Sequence, residues 1–161
     1  MKSTSSEAGA APKLPKRGPL LGIDHGTRRL GLAISDAGQT IAMPLLVYHR
    51  GTALQDGRYL IDLAKEFGIV GIVVGLPTHM SGDEGQRARE AREYGQWAAR
   101  MTQLPVDYVD ERFTTAMAEE LLSRAGLSAK KRRAQRDRVA AQCILQAYLE
   151  GGRGAQCLTD G

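Results

Sequence analysis

Apolar residues follow two different rhythms along this chain, and the change between them marks out the elements. Leu20–Asp24 and Leu30–Ser35 are short apolar runs flanking the turn His25-Gly26-Thr27-Arg28-Arg29, and Thr40–Tyr48 is a third run close behind. Three strand-like segments so near one another predict an antiparallel meander. The rhythm then becomes helical: Leu54, Leu60, Leu63, Ala64 and Phe67 share one face, and Gly68 suits the position just past a helix end. Ile69–Val74 is almost wholly apolar, as expected of a strand covered on both faces. Asp83–Thr102 predicts a long polar helix with Ala88, Ala91, Tyr94, Ala98 and Met101 turned inward, and Val106–Val109 a fifth strand led in by Pro105. Thr114 or Thr115 can cap a helix over Ala116–Arg124 that Gly126 ends, and a last helix runs from about Ala134 to Leu149.

Three successive strands followed by alternating helix and strand predict an α/β fold with one five-stranded mixed sheet. Three strands are antiparallel, two more are added by helical crossovers, and helices cover both faces. This order resembles that of RNase H-like domains, a likeness of fold that does not by itself establish chemistry. The domain is expected over residues 19–150. Residues 1–18, rich in Ser, Ala, Gly, Pro and Lys, read as a disordered basic tail, and Gly-rich residues 151–161 as a flexible one.

At 161 residues the chain has room for a single domain that needs no staple. Cys143 and Cys157 are the only cysteines, with no C-x-x-C and no histidine pair beside them, which excludes a disulfide framework and a readable zinc site. The longest apolar runs fall far short of the ~20 residues that span a bilayer. The N-terminus has no apolar stretch of the kind that directs secretion, so the expectation is a cytoplasmic protein.

The net charge of +4 is unevenly spread. Residues 1–17 carry Lys2, Lys13, Lys16 and Arg17 against Glu7. Residues 124–138 carry Arg124, Lys130, Lys131, Arg132, Arg133, Arg136 and Arg138 against Asp137 alone. Basic density of that kind attracts a polyanion, because each neutralised phosphate releases counterions. A solvated helix face is the other use of such a run.

Three carboxylates stand where a fold does not ordinarily put them. Asp24 closes the first strand among small and apolar neighbours, where it either serves a site at the sheet rim or shapes the turn before Gly26. Asp110 and Glu111 follow the fifth strand and point to opposite sides, so only one of them can face a site; alone, the pair also fits a charged loop beside Arg112. Asp137 stands one turn before Ala141 on the apolar stripe formed by Ala140, Ala141, Ile144, Leu145, Tyr148 and Leu149. A carboxylate there is costly unless an arginine or a metal ion compensates it. If the three acids converge, a bound Mg²⁺ or Mn²⁺ relieves their repulsion, and two such ions ~3.5–4 Å apart can clamp a phosphodiester for hydrolysis. His25, His49 and His79 are scattered and read as surface or loop residues.

Four segments in order carry a family resemblance. They are G-I-D-H-G-T-R-R-L-G-L-A-I-S-D at 22–36, I-V-V-G-L-P-T-H-M-S-G-D-E-G at 72–85, D-E-R-F-T-T at 110–115 and R-D-R-V-A-A-Q-C-I-L-Q-A-Y-L at 136–149. With their spacing they resemble the YqgF/RuvX proteins. These are RuvC-like proteins of the Holliday-junction resolvase type, also described as nucleases that mature the 5′ end of precursor small-subunit rRNA. The resemblance implies a hydrolase that cleaves RNA or branched DNA with Mg²⁺ or Mn²⁺, two ions being expected. It implies metal-binding acids at Asp24, Glu111 and Asp137, and site-shaping roles for Gly26 and the turn Gly75-Leu76-Pro77. Arg112 would orient the neighbouring acid or meet a phosphate. Independently of the resemblance, the charge of Lys130, Lys131, Arg132 and Arg133, just before the helix that carries Asp137, predicts that they hold substrate. His25, Thr78 and His79 receive no role. Nucleic acid is the expected partner and a membrane is not; a monomer and a homodimer both stay open.

Two other functions compete. Ile-Asp-x-Gly-Thr also opens a phosphate loop in actin-like ATPases, but those need two such domains and a second glycine-rich loop, for which this chain has no room. The other is a non-catalytic RNA-binding factor of ribosome assembly, which would gain nothing from carboxylates beside phosphates.

Overall fold

A computed structural model describes residues 14–77, 85–111 and 128–151 together with Glu120 and Ser123, and for residues 129, 130, 132–135 and 137 it describes the backbone alone. Five strands form one sheet: β1 (Leu20–His25), β2 (Arg29–Ser35), β3 (Ala42–His49), β4 (Gly71–Leu76) and β5 (Val106–Asp110), in the order β3-β2-β1-β4-β5. β1 pairs antiparallel with β2, as β2 does with β3, while β4 runs parallel to both β1 and β5. The meander and its two crossover strands are therefore as expected. All six residues of β4 are buried, as a strand between two parallel neighbours and two helical layers must be.

Helices α1 (Ala53–Phe67) and α2 (Gln86–Thr102) cover one face, and α3 (Ala129–Leu149) covers the other. Thr52 and Gln55 form a capping box at the start of α1, and Gly68 ends it in the left-handed conformation (φ 65°), accepting no side-chain penalty there. Alternation along the strands splits the core in two. Leu21, Ile23, Ile72 and Val74 meet Leu60, Leu63, Ala91, Tyr94 and Ala98 on the α1/α2 side. Leu20, Ala33, Val73 and Val109 meet Ala141, Ile144, Leu145 and Tyr148 on the α3 side.

Several expectations need correction. Residues 14–18, read as the end of a disordered tail, belong to the fold: Leu14 is buried in the α3-side core, and Gln39 donates to the carbonyls of Pro15 and Gly18. One leucine among polar neighbours carries no periodicity, which is why its burial escaped the pattern. Leu54, assigned to the inner face of α1, is exposed, and that face is instead Asp56, Gly57, Leu60 and Leu63. Gly75 and Leu76 are not a turn; they continue β4, because each pairs with β5. Finally α3 begins at Ala129, with the Ser128 hydroxyl accepting from Lys131 N, so Lys130–Arg133 lie inside its first turns rather than before it. Lys and Arg are good helix formers, and a Ser cap ahead of them extends the helix beyond its apolar stripe. The helix expected over 116–124 lies outside the described residues except for Glu120 and Ser123, both helical.

Candidate active site

Asp24 sits at the C-terminal end of β1, and Glu111 directly follows the C-terminal end of β5. In a sheet with parallel β1, β4 and β5, these ends share one edge, the edge where such sheets present their sites. Gly22, two residues before Asp24, faces α3: a Cβ there would meet Leu145 Cβ at 2.8 Å and the Ala141 carbonyl at 3.2 Å. Asp24 shares that face by alternation. Gly75 faces α3 as well, where an added Cβ would lie 2.5 Å from Ile144 Cδ1 and 2.9 and 3.0 Å from Glu111 Cγ and Cδ. The Glu111 side chain thus lies over Gly75, on the α3 side of the sheet. Asp110, one residue earlier, belongs by alternation to the opposite side and is buried there. β1 and β4 are in register with Ile23 opposite Val74, so the next step of the ladder brings Asp24 level with Gly75. The two acids therefore flank one glycine.

The direction of α3 places position 137 at the same edge. Its C-terminal end lies over the strand beginnings, where Gln146 bonds to Ala42 and Tyr148 to Asp107. Ala141 lies over Gly22, and position 137 is one helical turn further toward the acid-bearing edge. The Asp137 side chain, all of Arg112, and the side chains of Lys130, Arg132 and Arg133 lie outside the described residues. Lys131 is exposed.

Electrostatics distinguishes Glu111. Burial pushes its pKa up, the Arg87 guanidinium opposes that shift, and the Asp110 carboxylate adds to it. An all-oxygen pair of this kind, one member held at raised pKa and seated where a glycine leaves room, suits a hard divalent cation. Among the described residues no group of three His, Cys, Asp or Glu could hold an ion on its own. Asp24 and Glu111 carry the carboxylate oxygens that such an ion prefers.

A cleft of about 750 Å³ opens at this edge, lined by Asp24, His25, Gly26, Thr27, Arg28, Arg29, His49, Pro77, Arg87 and Glu90. Gly26 is confined there, since a Cβ would come within 2.6 Å of the Arg29 carbonyl. The carboxylates Asp24 and Glu90 with Arg28, Arg29 and Arg87 around them make a lining that can receive a phosphate group beside a cation.

The sequence did not point to the network that braces this cleft from the α1 side. Asp56, 2% exposed, accepts from Tyr48 Oη (2.8 Å), Gly51 N (2.8 Å) and Arg50 Nε (3.2 Å). Arg50 Nη1 reaches the Gly26 carbonyl (2.9 Å) and His25 Nε2 (3.1 Å), so that ring nitrogen accepts and the imidazole is neutral. Burial and the cations Arg50 and Arg87 push the His25 pKa down to about 4, against a smaller upward effect of Glu90. His25 is accordingly a half-buried bracing residue packed on Tyr94 (4.9 Å between centroids), not the surface residue expected. His49 is exposed, as expected, and His79 lies outside the described residues.

Comparison with known proteins agrees with the fold and the motifs. The family model RuvX, described as Holliday junction resolvase, matches residues 18–151. A protein of Rhodopirellula baltica named "Putative pre-16S rRNA nuclease" is 38% identical over 98% of this chain and 92% of its own length. One of the same name from Cereibacter sphaeroides is 42% identical over 85% of this chain and 86% of its own. Among solved structures, T. thermophilus RuvC in complex with Holliday junction substrate shares the fold, with a TM-score of 0.51 at 17% identity over 85% of this chain and 98% of that one.

Proposed function

Since the chain belongs to the RuvX family, we propose that it is a metal-dependent nuclease whose centre is formed by Asp24, Glu111 and Asp137. The observation that carries this reading is the approach of Glu111 across Gly75 toward the strand end bearing Asp24, on the face that α3 covers. Carboxylates that converge at the edge of a parallel sheet would repel one another, and a cation would relieve the cost. When bound, one or two Mg²⁺ or Mn²⁺ ions supply an activated water and neutralise charge on the scissile phosphate.

The protein's own groups do the rest. Asp24 and Glu111 hold their oxygens on rigid strand ends, and Asp137 completes the set from α3. Arg87, which already opposes the charge of Glu111, and Arg28 and Arg29 across the cleft neutralise flanking phosphates. Arg112, Lys130, Lys131, Arg132 and Arg133 are assigned to further phosphates of the substrate on their charge. Such contacts go to backbone and fix position without reading sequence.

The substrate assigned by this reading is structured nucleic acid, first the 5′ end of precursor small-subunit rRNA, after the names of the relatives, with branched DNA as a second substrate after the family's description. A nuclease of precursor rRNA works in the cytoplasm; among the described residues no helix is long and apolar enough to cross a membrane. The test compares cleavage of precursor rRNA, single-stranded RNA and a four-way DNA junction by one preparation, with Mn²⁺ and with chelator. Cleavage that requires Mn²⁺ and disappears in Asp24→Asn is expected. Cleavage of any of the three at the same rate in chelator contradicts the metal-dependent reading.

A further inference from the structure

Beside the acid cleft lies a second, smaller pocket of about 360 Å³, bordered by His25, Thr27, Arg50, Glu90, Tyr94 and Trp97 among others. His25, Thr27 and Glu90 line both, so the two are adjoining chambers at one sheet edge. Their chemistry differs. The first carries Arg28, Arg29 and Arg87 around Asp24. The second is walled by rings: Tyr94 lies 4.9 Å from His25 and 5.5 Å from Trp97, centroid to centroid, and the Arg50 guanidinium lies 5.3 Å from the Tyr94 centroid.

We infer that this aromatic pocket receives one unpaired nucleobase of the strand whose phosphate occupies the acid cleft. The inference rests on the nucleic-acid reading of that cleft and adds to it a defined subsite. Three observations carry it. Trp97 and His25, half-buried on either side of the buried Tyr94, offer ring surface that a base can meet by its π-face, a contact independent of sequence. Glu93 borders this pocket alone and Arg28, Arg29 and Arg87 border the acid cleft alone, so a nucleotide straddling the two chambers is oriented with phosphate toward the arginines and base toward the rings. The walls are also fixed in advance. Asp56 and Arg50 tie α1, β3 and the turn after β1 together, and Arg50 holds His25 against Tyr94. Preorganised walls lower the ordering cost of binding.

The substrate class follows. A base can enter only where the strand is unpaired or can be splayed, so cleavage is directed to single-stranded ends, loops or junction points rather than continuous duplex.

Trp97 is the only tryptophan of the chain, so its fluorescence reports on this pocket directly. The full-length protein is titrated, in chelator to prevent cleavage, with a short single-stranded oligonucleotide and with a set of the same strand carrying one abasic residue at successive positions. Quenching is expected with the intact strand and should disappear for an abasic residue at one position while binding, followed by anisotropy, persists. Trp97→Ala should weaken the intact strand roughly five-fold or more and leave that abasic strand unaffected. Quenching indifferent to the abasic residue at every position overturns the inference, and that arm uses only the wild-type protein. Equal weakening of intact and abasic strands by Trp97→Ala also overturns it. Metal-dependent cleavage without such quenching removes the base pocket and leaves the nuclease; position-specific quenching without cleavage does the reverse.

Discussion

Two regions of this molecule treat a carboxylate in opposite ways. At the corner of β3 and α1, Asp56 accepts a phenol, a backbone N–H and a guanidinium, and sits among them nearly inaccessible to solvent. At the open edge of β1, β4 and β5, Glu111 is half-buried beside the buried Asp110, and its pKa is pushed up. The first is a carboxylate whose charge the fold satisfies. The second is one whose neutral form burial and the neighbouring Asp110 favour, so that a cation beside it would restore the charged form. The contrast separates an acid that stabilises structure from one suited to chemistry, since strongly perturbed groups in clefts are where function concentrates.

Exchanging charges at the two regions should therefore give opposite results, and the largest effect is on activity. Asp24→Asn and Glu111→Gln should abolish cleavage while melting at or above the wild-type temperature without metal, because each relieves repulsion. Asp110→Asn, on the other face of β5, should keep cleavage. A Glu111→Gln variant that cleaves at the wild-type rate would contradict the pairing of Glu111 with Asp24.

Asp56→Ala should do the reverse. Removing one partner of a buried ion pair costs about 3 kcal/mol, or roughly 6–12 °C in melting temperature for a domain of this size. Any loss of cleavage should follow the fraction unfolded when assayed well below that temperature. Thermal melts in the absence of metal decide this.

Gly75→Ala probes the contact itself. The added methyl meets both Ile144 and Glu111, so it should destabilise by about 1–3 kcal/mol and also lower the cleavage rate by displacing Glu111. A variant that loses stability but keeps full metal-saturated rate would show that the Glu111 position is not critical.

The smallest effect concerns His25. Unfolded, it takes up its proton near pH 6.5; folded, burial and the two arginines hold that off until about pH 4. Between those values the unfolded state binds more protons, so this group's contribution is complete above pH 6.5 and is lost as pH falls through about 4. His25→Gln should flatten the decline of the urea midpoint between pH 7 and pH 4.5. An unchanged decline would assign it to carboxylates instead.

The strand order was legible because short apolar runs, their spacing and the intervening helical periods leave few topologies for a right-handed crossover. The position of Asp24 was legible for the same reason, as the last residue of an apolar run. Asp56 was not, although it stands on the stripe with Leu60 and Leu63, the same signal that singled out Asp137. A carboxylate on an apolar stripe announces that something compensates it, and only the tertiary partners tell whether that is an arginine or a metal. Likewise His25 looked like a turn residue because its cover, Tyr94 and Arg50, comes from segments distant in the chain. The long basic start of α3 was missed because a helix held by a cap and by Lys/Arg propensity shows no apolar period.

The metal centre is tested most directly by whether these acids hold a cation. Calorimetric titration of the protein with Mn²⁺, without nucleic acid, measures that apart from any substrate. Saturable binding is predicted for wild type and for Asp110→Asn, with loss or at least ten-fold weakening in both Asp24→Asn and Glu111→Gln. Wild-type Mn²⁺ affinity in either of the latter two would contradict a metal centre built on Asp24 and Glu111.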